Sequence, residues 1–294
     1  MKDFRDKVAA ITGAGSGIGR GLALTLAERG CHLALCDVNQ AGLAETAALA
    51  SEHGVRVTQA IVDVADREAV HAWADASAAE HGKINLVFNN AGVSLIASIT
   101  AVSYEDLEWI MDINFWGVVH GSKAFLPHLI ASGEGHIVNV SSVFGLFGVA
   151  SQGGYNASKF AVRGFTDCLR QELDIMRCGV SATCVHPGGI KTNIARDARS
   201  CDSIQSLGYR YEKDDGRFKK YALTTPARAA RLILRAVEKN KRRARIGADA
   251  VLLDLLVRWF PAHYHPMMQV LMRLSMHKLP APIPEKAEAP ADSP

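Results

Sequence analysis

Tyr155 and Lys159 stand four positions apart in the run Tyr155-Asn156-Ala157-Ser158-Lys159. Ser142 precedes the tyrosine by thirteen residues, at the end of an apolar run. Residues four apart share one helix face, so the phenol and the ammonium can meet the same partner. Moving a hydride off an alcohol carbon requires a base for the hydroxyl proton, and the reverse requires an acid for the nascent alkoxide. A free tyrosine, with a pKa near 10, is a poor base at neutral pH. A neighbouring ammonium favours the phenolate and draws that value toward the working range. Lys159 is therefore expected to tune Tyr155, and Tyr155 to carry the proton. Ser142 is expected to donate a hydrogen bond to the reacting oxygen and hold its distance. Alone, Tyr-x-x-x-Lys is common on helix surfaces, so its meaning depends on what surrounds it.

A second constellation lies at the start of the chain. The apolar run Val8–Thr12 enters Thr12-Gly13-Ala14-Gly15-Ser16-Gly17-Ile18-Gly19 and then a helical pattern. Glycines let the backbone turn sharply against a pyrophosphate, and the following helix offers free N–H groups and its positive dipole end. The spacing is G-x-x-x-G-x-G, and its place at the first strand–helix junction gives it weight. Thr12, Gly13, Ser16, Gly17, Ile18 and Gly19 are its candidate cofactor-binding residues. Asp37 closes the second strand pattern, where a carboxylate accepts hydrogen bonds from an adenosine ribose; the competing reading is an N-cap for the next helix. Asp63-Val64, closing the third strand, reads as an adenine contact or as a plain loop.

The elements that must position these residues alternate. Strand patterns at Val8–Thr12, His32–Cys36, Val55–Val62, Leu86–Asn89, His136–Val140, Ser181–Val185 and Ala244–Ile246 are separated by helical patterns at Gly19–Arg29, Ala41–Glu52, Arg67–Glu80, Tyr104–Ala131, Tyr155–Met176 and Pro226–Glu238. Helical crossovers force parallel pairing. The expected fold is α/β: a Rossmann-like, doubly wound parallel sheet of about seven strands with helices on both faces. The 294 residues, 48% hydrophobic, suffice for a full core. A net charge of +3 argues against nucleic acid as a main partner. Six cysteines without a CxxC pair read as reduced thiols packed in a core. The N-terminus enters a strand pattern without a signal-peptide profile, which leads to the expectation of a cytoplasmic protein.

Together, the glycine turn, Asn89-Asn90-Ala91-Gly92, Asn114, Ser142 and Tyr155-x-x-x-Lys159 resemble the short-chain dehydrogenase/reductase family in its single-domain branch, over roughly residues 5–250. The resemblance implies Asn114, Ser142, Tyr155 and Lys159 as a catalytic tetrad, with Asn114 holding a water that continues the proton path from Lys159. It implies Asn90, Ala91 and Gly92 on the adenosine side, and Tyr155 and Lys159 on the ribose. It implies Pro187, Gly188, Ile190 and Thr192, from Pro187-Gly188-Gly189-Ile190-Lys191-Thr192, over the nicotinamide. It also implies a homo-oligomer, a dimer or tetramer. NAD(H) is expected over NADP(H), because Asp37 opposes a 2′-phosphate and Val38, Asn39 and Ser16 are not cationic; Arg20 is the one nearby cation that can swing across, and NADP is the alternative.

The candidate substrate wall is apolar: Ser94 and Leu95 after the Asn-Asn-Ala-Gly motif, then Phe144 and Phe147 after Ser142, with Ser142, Tyr155 and Gly188 completing it. This suits a hydrophobic secondary alcohol or ketone. Two other functions remain open: an acyl-carrier-protein ketoreductase, which needs NADPH and a basic docking face, and a cofactor-binding regulator without turnover. The domain reading is 1–248 as the main domain with a polar substrate lid around 193–222, including Arg196, Arg199, Tyr209, Tyr211, Asp214 and Asp215. A helical extension follows at 249–279, split by Pro261 and Pro266, then a disordered proline-rich tail at 280–294. The extension's apolar face is expected over the substrate mouth or a subunit interface, with peripheral membrane contact as the second reading. His263 and His265 lack a third ligand nearby, so no metal is expected.

Overall fold

The computed structural model of the protein describes residues 1–201 and 222–275. In chain order the strands are β1 (Val8–Thr12), β2 (His32–Asp37), β3 (Val57–Ile61), β4 (Leu86–Asn89), β5 (Leu95–Ile96), β6 (Gly135–Val140), β7 (Val180–Pro187), β8 (Arg199–Ser200) and β9 (Arg243–Ile246). The helices are α1 (Gly17–Ala27), α2 (Gln40–Ser51), α3 (Arg67–His81), α4 (Tyr104–Met111), α5 (Gly117–Ala131), α6 (Gly153–Met176), α7 (Pro226–Glu238), α8 (Ala248–Trp259) and α9 (Tyr264–Ser275). Seven strands form one parallel sheet in the order β3-β2-β1-β4-β6-β7-β9, the doubly wound arrangement.

Alternation along β1 builds both layers of the core. Ala9 and Ile11 pack toward α1, α2 and α7, with Leu22, Leu26, Leu43 and Ile233. Val8 and Ala10 face α3, α5 and the end of α6, with Val70, Trp73, Phe125 and Leu173. Trp73 and Phe125 meet edge to face at 5.0 Å, locking α3 to α5. Register places Asn89 of β4 opposite Asn139 of β6. Inside the apolar layer their side chains join at 2.8 Å, and Ser122 and Thr166 complete the network at 3.1 and 3.0 Å. Gly121 lets α5 come this close, because a Cβ there would overlap Asn89 Oδ1.

Several expectations need correction. The single helix at Tyr104–Ala131 is interrupted by a π-helical turn at Asp112–Trp116. The third strand is shorter than Val55–Val62, running Val57–Ile61. A two-stranded sheet, β5 with β8, has no counterpart in the sequence reading, because two-residue strands carry no periodicity. Pro261 lies in the break between α8 and α9, whereas Pro266 sits in the first turn of α9, where its missing N–H costs nothing. Of the free cysteines, Cys31, Cys36 and Cys184 are buried, but Cys168 is exposed and Cys178 and Cys201 are half-buried. Of the residues expected in a substrate lid, Arg199 bonds Asp106 at 2.7 Å and covers the Trp109 ring at 3.8 Å, and Arg196 pairs with Asp197. Tyr209, Tyr211, Asp214, Asp215 and the tail at 280–294 lie outside the described residues. No helix among the described residues is long and apolar enough to cross a membrane.

Candidate active site

The order of strands reverses between β1 and β4, which opens a crevice at their C-terminal ends. The glycine turn fills one side. Gly13 is left-handed, at φ 65°, and a Cβ there would stand 2.8 Å from Ala91 Cα. The two loops are tied by hydrogen bonds. Thr12 Oγ1 accepts from the Asn90 and Ala91 N–H groups, both at 2.9 Å, and Asn90 Nδ2 donates to the carbonyls of Thr12 and Gly13 at 2.9 and 3.2 Å. Ser16 is the extended N-cap of α1 and its side chain makes no capping bond. The helix therefore starts with side-chain-free N–H groups at its positive end. Ile18 packs partly buried on the core, and a Cβ at Gly19 would overlap the Gly13 carbonyl oxygen.

Asp37 closes the adjoining rim. Its Oδ2 accepts from Gly15 N and its Oδ1 from Asn39 N, both at 2.8 Å. The cap of α2 is Asn39, which accepts from Gly42 N at 3.1 Å, so Asp37 is not the helix N-cap. Arg20 is held rather than free to swing. Its guanidinium donates to the carbonyls of Gly15 (2.7 Å) and Gly42 (3.2 Å), to Thr46 Oγ1 (2.9 Å) and to Glu45 (2.7 Å). Beyond β3, Asp63 accepts from Ala65 N at 2.9 Å, and the Val64 side chain lies against Gly117 at the start of α5.

On the other side of the crevice, β6 ends at Ser141-Ser142 and a short 3-10 turn (Val143–Gly145) leads toward α6. Ser142 Oγ caps that turn, accepting from Phe144 N at 3.1 Å. Tyr155 and Lys159 project from one face of α6, with Nζ 5.6 Å from the phenol ring centroid. Lys159 Nζ donates to Val140 O at 3.2 Å. Burial governs both groups. It pulls Lys159 from 10.5 down to about 8, and pushes the Tyr155 phenol above its usual 10 against a hydrogen bond from Ser142. The expected lowering of Tyr155 by Lys159 is thus absent in the protein by itself, because two groups withdrawn from water both favour their neutral forms.

Asn114 occupies the π turn, fully buried. Its Oδ1 accepts from Val93 N at 2.8 Å, and its Nδ2 donates to Val93 O at 3.0 Å and Ser158 Oγ at 3.1 Å. Both donors of the amide are committed, so the side chain braces the loop after β4 against α6. Gly92 lies between Asn114 and Lys159, and a Cβ there would fall 3.0 Å from Oδ1 and 3.2 Å from Nζ.

The segment after β7 closes the crevice. Gly188 N donates to Ile246 O at 2.9 Å, Ile190 is buried and bridges to Thr224, and Thr192 lies against Gly17. Pro187 pairs with Ile246 in the sheet. Of the substrate candidates, Leu95 and Phe144 cluster with Tyr155, Phe144 being edge-on to it at 6.1 Å. Phe147 is buried between Phe144 and Tyr264, edge-on to them at 5.8 and 6.1 Å. The Ser94 carbonyl accepts from Arg199 N at 3.0 Å.

Three supporting residues escaped sequence reasoning. Asn156 donates to Phe144 O (2.7 Å) and Phe147 O (2.8 Å) and accepts from Val149 N (3.0 Å), shaping the wall after Ser142. Asp249, in the first turn of α8, accepts from Gly189 N at 2.6 Å and fills the space over Gly188. Buried His186 bonds Ser142 O through Nδ1 at 2.8 Å. Their partners are distant in sequence, and only the position of Asn156 inside the Tyr-x-x-x-Lys run offered a signal.

A doubly wound sheet whose switch point gathers an uncapped glycine turn, a tyrosine–lysine pair and a serine is the framework of a Rossmann-type dehydrogenase. The short chain dehydrogenase family profile matches residues 7–202, and the chain belongs to that family of oxidoreductases. It is 48% identical over 268 residues to SadH, a protein of Mycobacterium tuberculosis named as an oxidoreductase, covering 91% of this chain and 96% of that one. Among solved structures it resembles a short-chain dehydrogenase/reductase from Burkholderia phymatum in complex with NAD. The TM-score is 0.77 and the identity 30%, over 92% of this chain and 97% of that one. It also resembles levodione reductase, with a TM-score of 0.72 and 28% identity, over 85% and 98%.

Proposed function

We propose that this oxidoreductase interconverts a hydrophobic secondary alcohol and its ketone, using NAD(H) in preference to NADP(H), with Tyr155 as the acid/base. The observation that carries the reading is the convergence of Ser142, Tyr155 and Lys159 opposite the glycine turn, at the C-terminal ends of β6, β4 and β1. The crevice fits a dinucleotide. The start of α1 presents N–H groups that no side chain caps, Gly17 keeps the approach open, and the Asp37 carboxylate stands at the rim. Thr12, Gly13, Ser16, Ile18, Gly19, Asp63, Val64, Asn90, Ala91, Gly92, Pro187, Gly188, Ile190 and Thr192 complete that proposed site. When bound, a nicotinamide dinucleotide supplies the hydride donor or acceptor.

The remaining chemistry belongs to the chain. Ser142 donates a hydrogen bond to the substrate oxygen. In oxidation Tyr155 accepts the hydroxyl proton as its phenolate; in reduction it returns a proton to the alkoxide. Lys159, an ammonium below about pH 8, places a cation on the same face of α6 as the phenol. Asn114 fixes the loop against which both stand. Leu95 and Phe144 exclude water around the phenol, which suits an apolar substrate. The NAD complex of the Burkholderia relative and the name of levodione reductase support the cofactor and the ketone class. Residues 1–248 are taken as one domain, with 249–279 an extension laid on it. The deciding experiment is steady-state kinetics with a panel of hydrophobic ketones and alcohols and either cofactor. Turnover confined to polar polyols, or kcat/KM no greater with NADH than with NADPH, would refute the assignment.

A further inference from the structure

The outer side of the C-terminal extension joins an apolar stripe to a surplus of positive charge. The inner residues of α8, among them Ala250, Leu253 and Val257, pack with Val143, Leu146 and Phe147. Leu252, Leu255 and Trp259 recur at i, i+3 and i+7 on the opposite side and are exposed, Trp259 at 76%. Phe260, which follows Trp259, and Met267 and Val270 of α9 are exposed as well. A helix that packs one apolar face and presents another to water has an unmet partner.

Leu255 also borders a cleft of about 720 Å³ that continues between α6, β9 and α8. Two aspartates lining it, Asp254 and Asp167, and a third, Asp174, tied to its lining arginines, each hold two guanidiniums. Asp254 takes Arg245 and Arg258, both at 2.8 Å; Asp174 takes Arg170 (2.9 Å) and Arg242 (3.1 Å); Asp167 takes Arg243 (2.6 Å) and Arg163 (3.9 Å). Six cations share three carboxylates. Lys239 and Lys241 are exposed beside Arg242.

We propose that this face docks on an anionic lipid surface. Leu252, Leu255, Trp259 and Phe260 enter the boundary between headgroups and acyl chains, and the arginine surplus lies against the lipid phosphates. The combination favours lipid over the other occupants. A twofold contact through this face would bring two copies of the same positive surplus together. The segment 280–294, with Glu285, Glu288 and Asp292 against Lys286, matches the charge but has Ile283 as its only large aliphatic residue.

Co-sedimentation of the full chain with phosphatidylcholine vesicles, with and without phosphatidylglycerol, tests this. Binding is expected on the anionic vesicles, falling with added salt. The double variant Leu252→Ser/Trp259→Ser should lose it while unfolding at an unchanged temperature. Lys241→Gln and Arg242→Gln should each weaken it about fivefold. Equal sedimentation with both vesicle types, or none, overturns the proposal. Full binding by the double serine variant would leave charge alone, as for an acidic protein partner, and also overturns it. So does binding that appears only after deletion of 280–294, which assigns the face to that segment, or a wild-type oligomer that light scattering shows falling apart in the double serine variant, which assigns it to a second copy.

Discussion

At the scale of single residues, the proposed chemistry rests on a phenol that burial pushes up and an amine that burial pulls down. Tyr155→Phe should lower kcat by at least about a hundredfold, the usual contribution of general acid–base catalysis, while cofactor affinity from fluorescence titration stays near wild type. Retention of more than about a tenth of the wild-type rate contradicts the role. Lys159 is charged below about 8 and loses its proton above it. The kcat/KM for ketone reduction should therefore fall as pH rises through that value, and a Lys159→Met variant should have lost this limb. At Asp37, a second negative group about 4 Å away is repelled by roughly 4 kcal/mol at an effective dielectric near 20, about a thousandfold in affinity. Arg20 does not offset this, being held by Gly15, Gly42, Thr46 and Glu45. Asp37→Ala combined with Val38→Arg should raise the ratio of kcat/KM for NADPH over NADH; an unchanged ratio would remove Asp37 from the specificity argument.

At the scale of elements, the π turn and the first turn of α8 do what regular helices cannot. The π turn at Asp112–Trp116 carries Asn114, whose amide reaches both the main chain of Val93 and Ser158. The first turn of α8 delivers Asp249 onto Gly189 N, so the extension bolts down the segment that runs on to Thr192. Asp249→Ala removes a charge-assisted hydrogen bond and leaves that N–H without its partner. A loss of about 2 kcal/mol in urea unfolding and a raised KM for the cofactor are expected. Normal cofactor KM in a destabilised variant would confine Asp249 to folding.

At the scale of the whole molecule, two histidines are buried neutral in the sheet. Desolvation lowers His136 from 6.5 to about 3, where it bonds Thr183 at 2.8 Å, and lowers His186 to about 4. Between those values and 6.5 the unfolded chain binds more protons than the folded one. Their stabilisation is therefore complete above about pH 6.5 and is lost as pH falls toward 4 and then 3. The pair should cost about 3 kcal/mol of unfolding free energy between pH 6.5 and 5. Urea titrations at the two values measure it, and His136→Gln should show a shallower dependence than wild type.

The sequence by itself determined the alternation of strands and helices and the face shared by Tyr155 and Lys159. It also determined that the glycine turn opens the first crossover. All three are written in local pattern: a continuous apolar run in β1, four residues along α6, glycines where a chain must bend. Tertiary structure decided the rest. Asn139 meets Asn89 through strand register, Asp249 reaches Gly189 across sixty residues, and Arg20 is captured by α2. It also decided the protonation preferences, since burial follows from packing and moves Tyr155 and Lys159 in directions that charge proximity alone did not foretell. Contacts between residues far apart in the chain leave no periodic trace in either partner, which is why the motifs were legible and the supports that hold them were not.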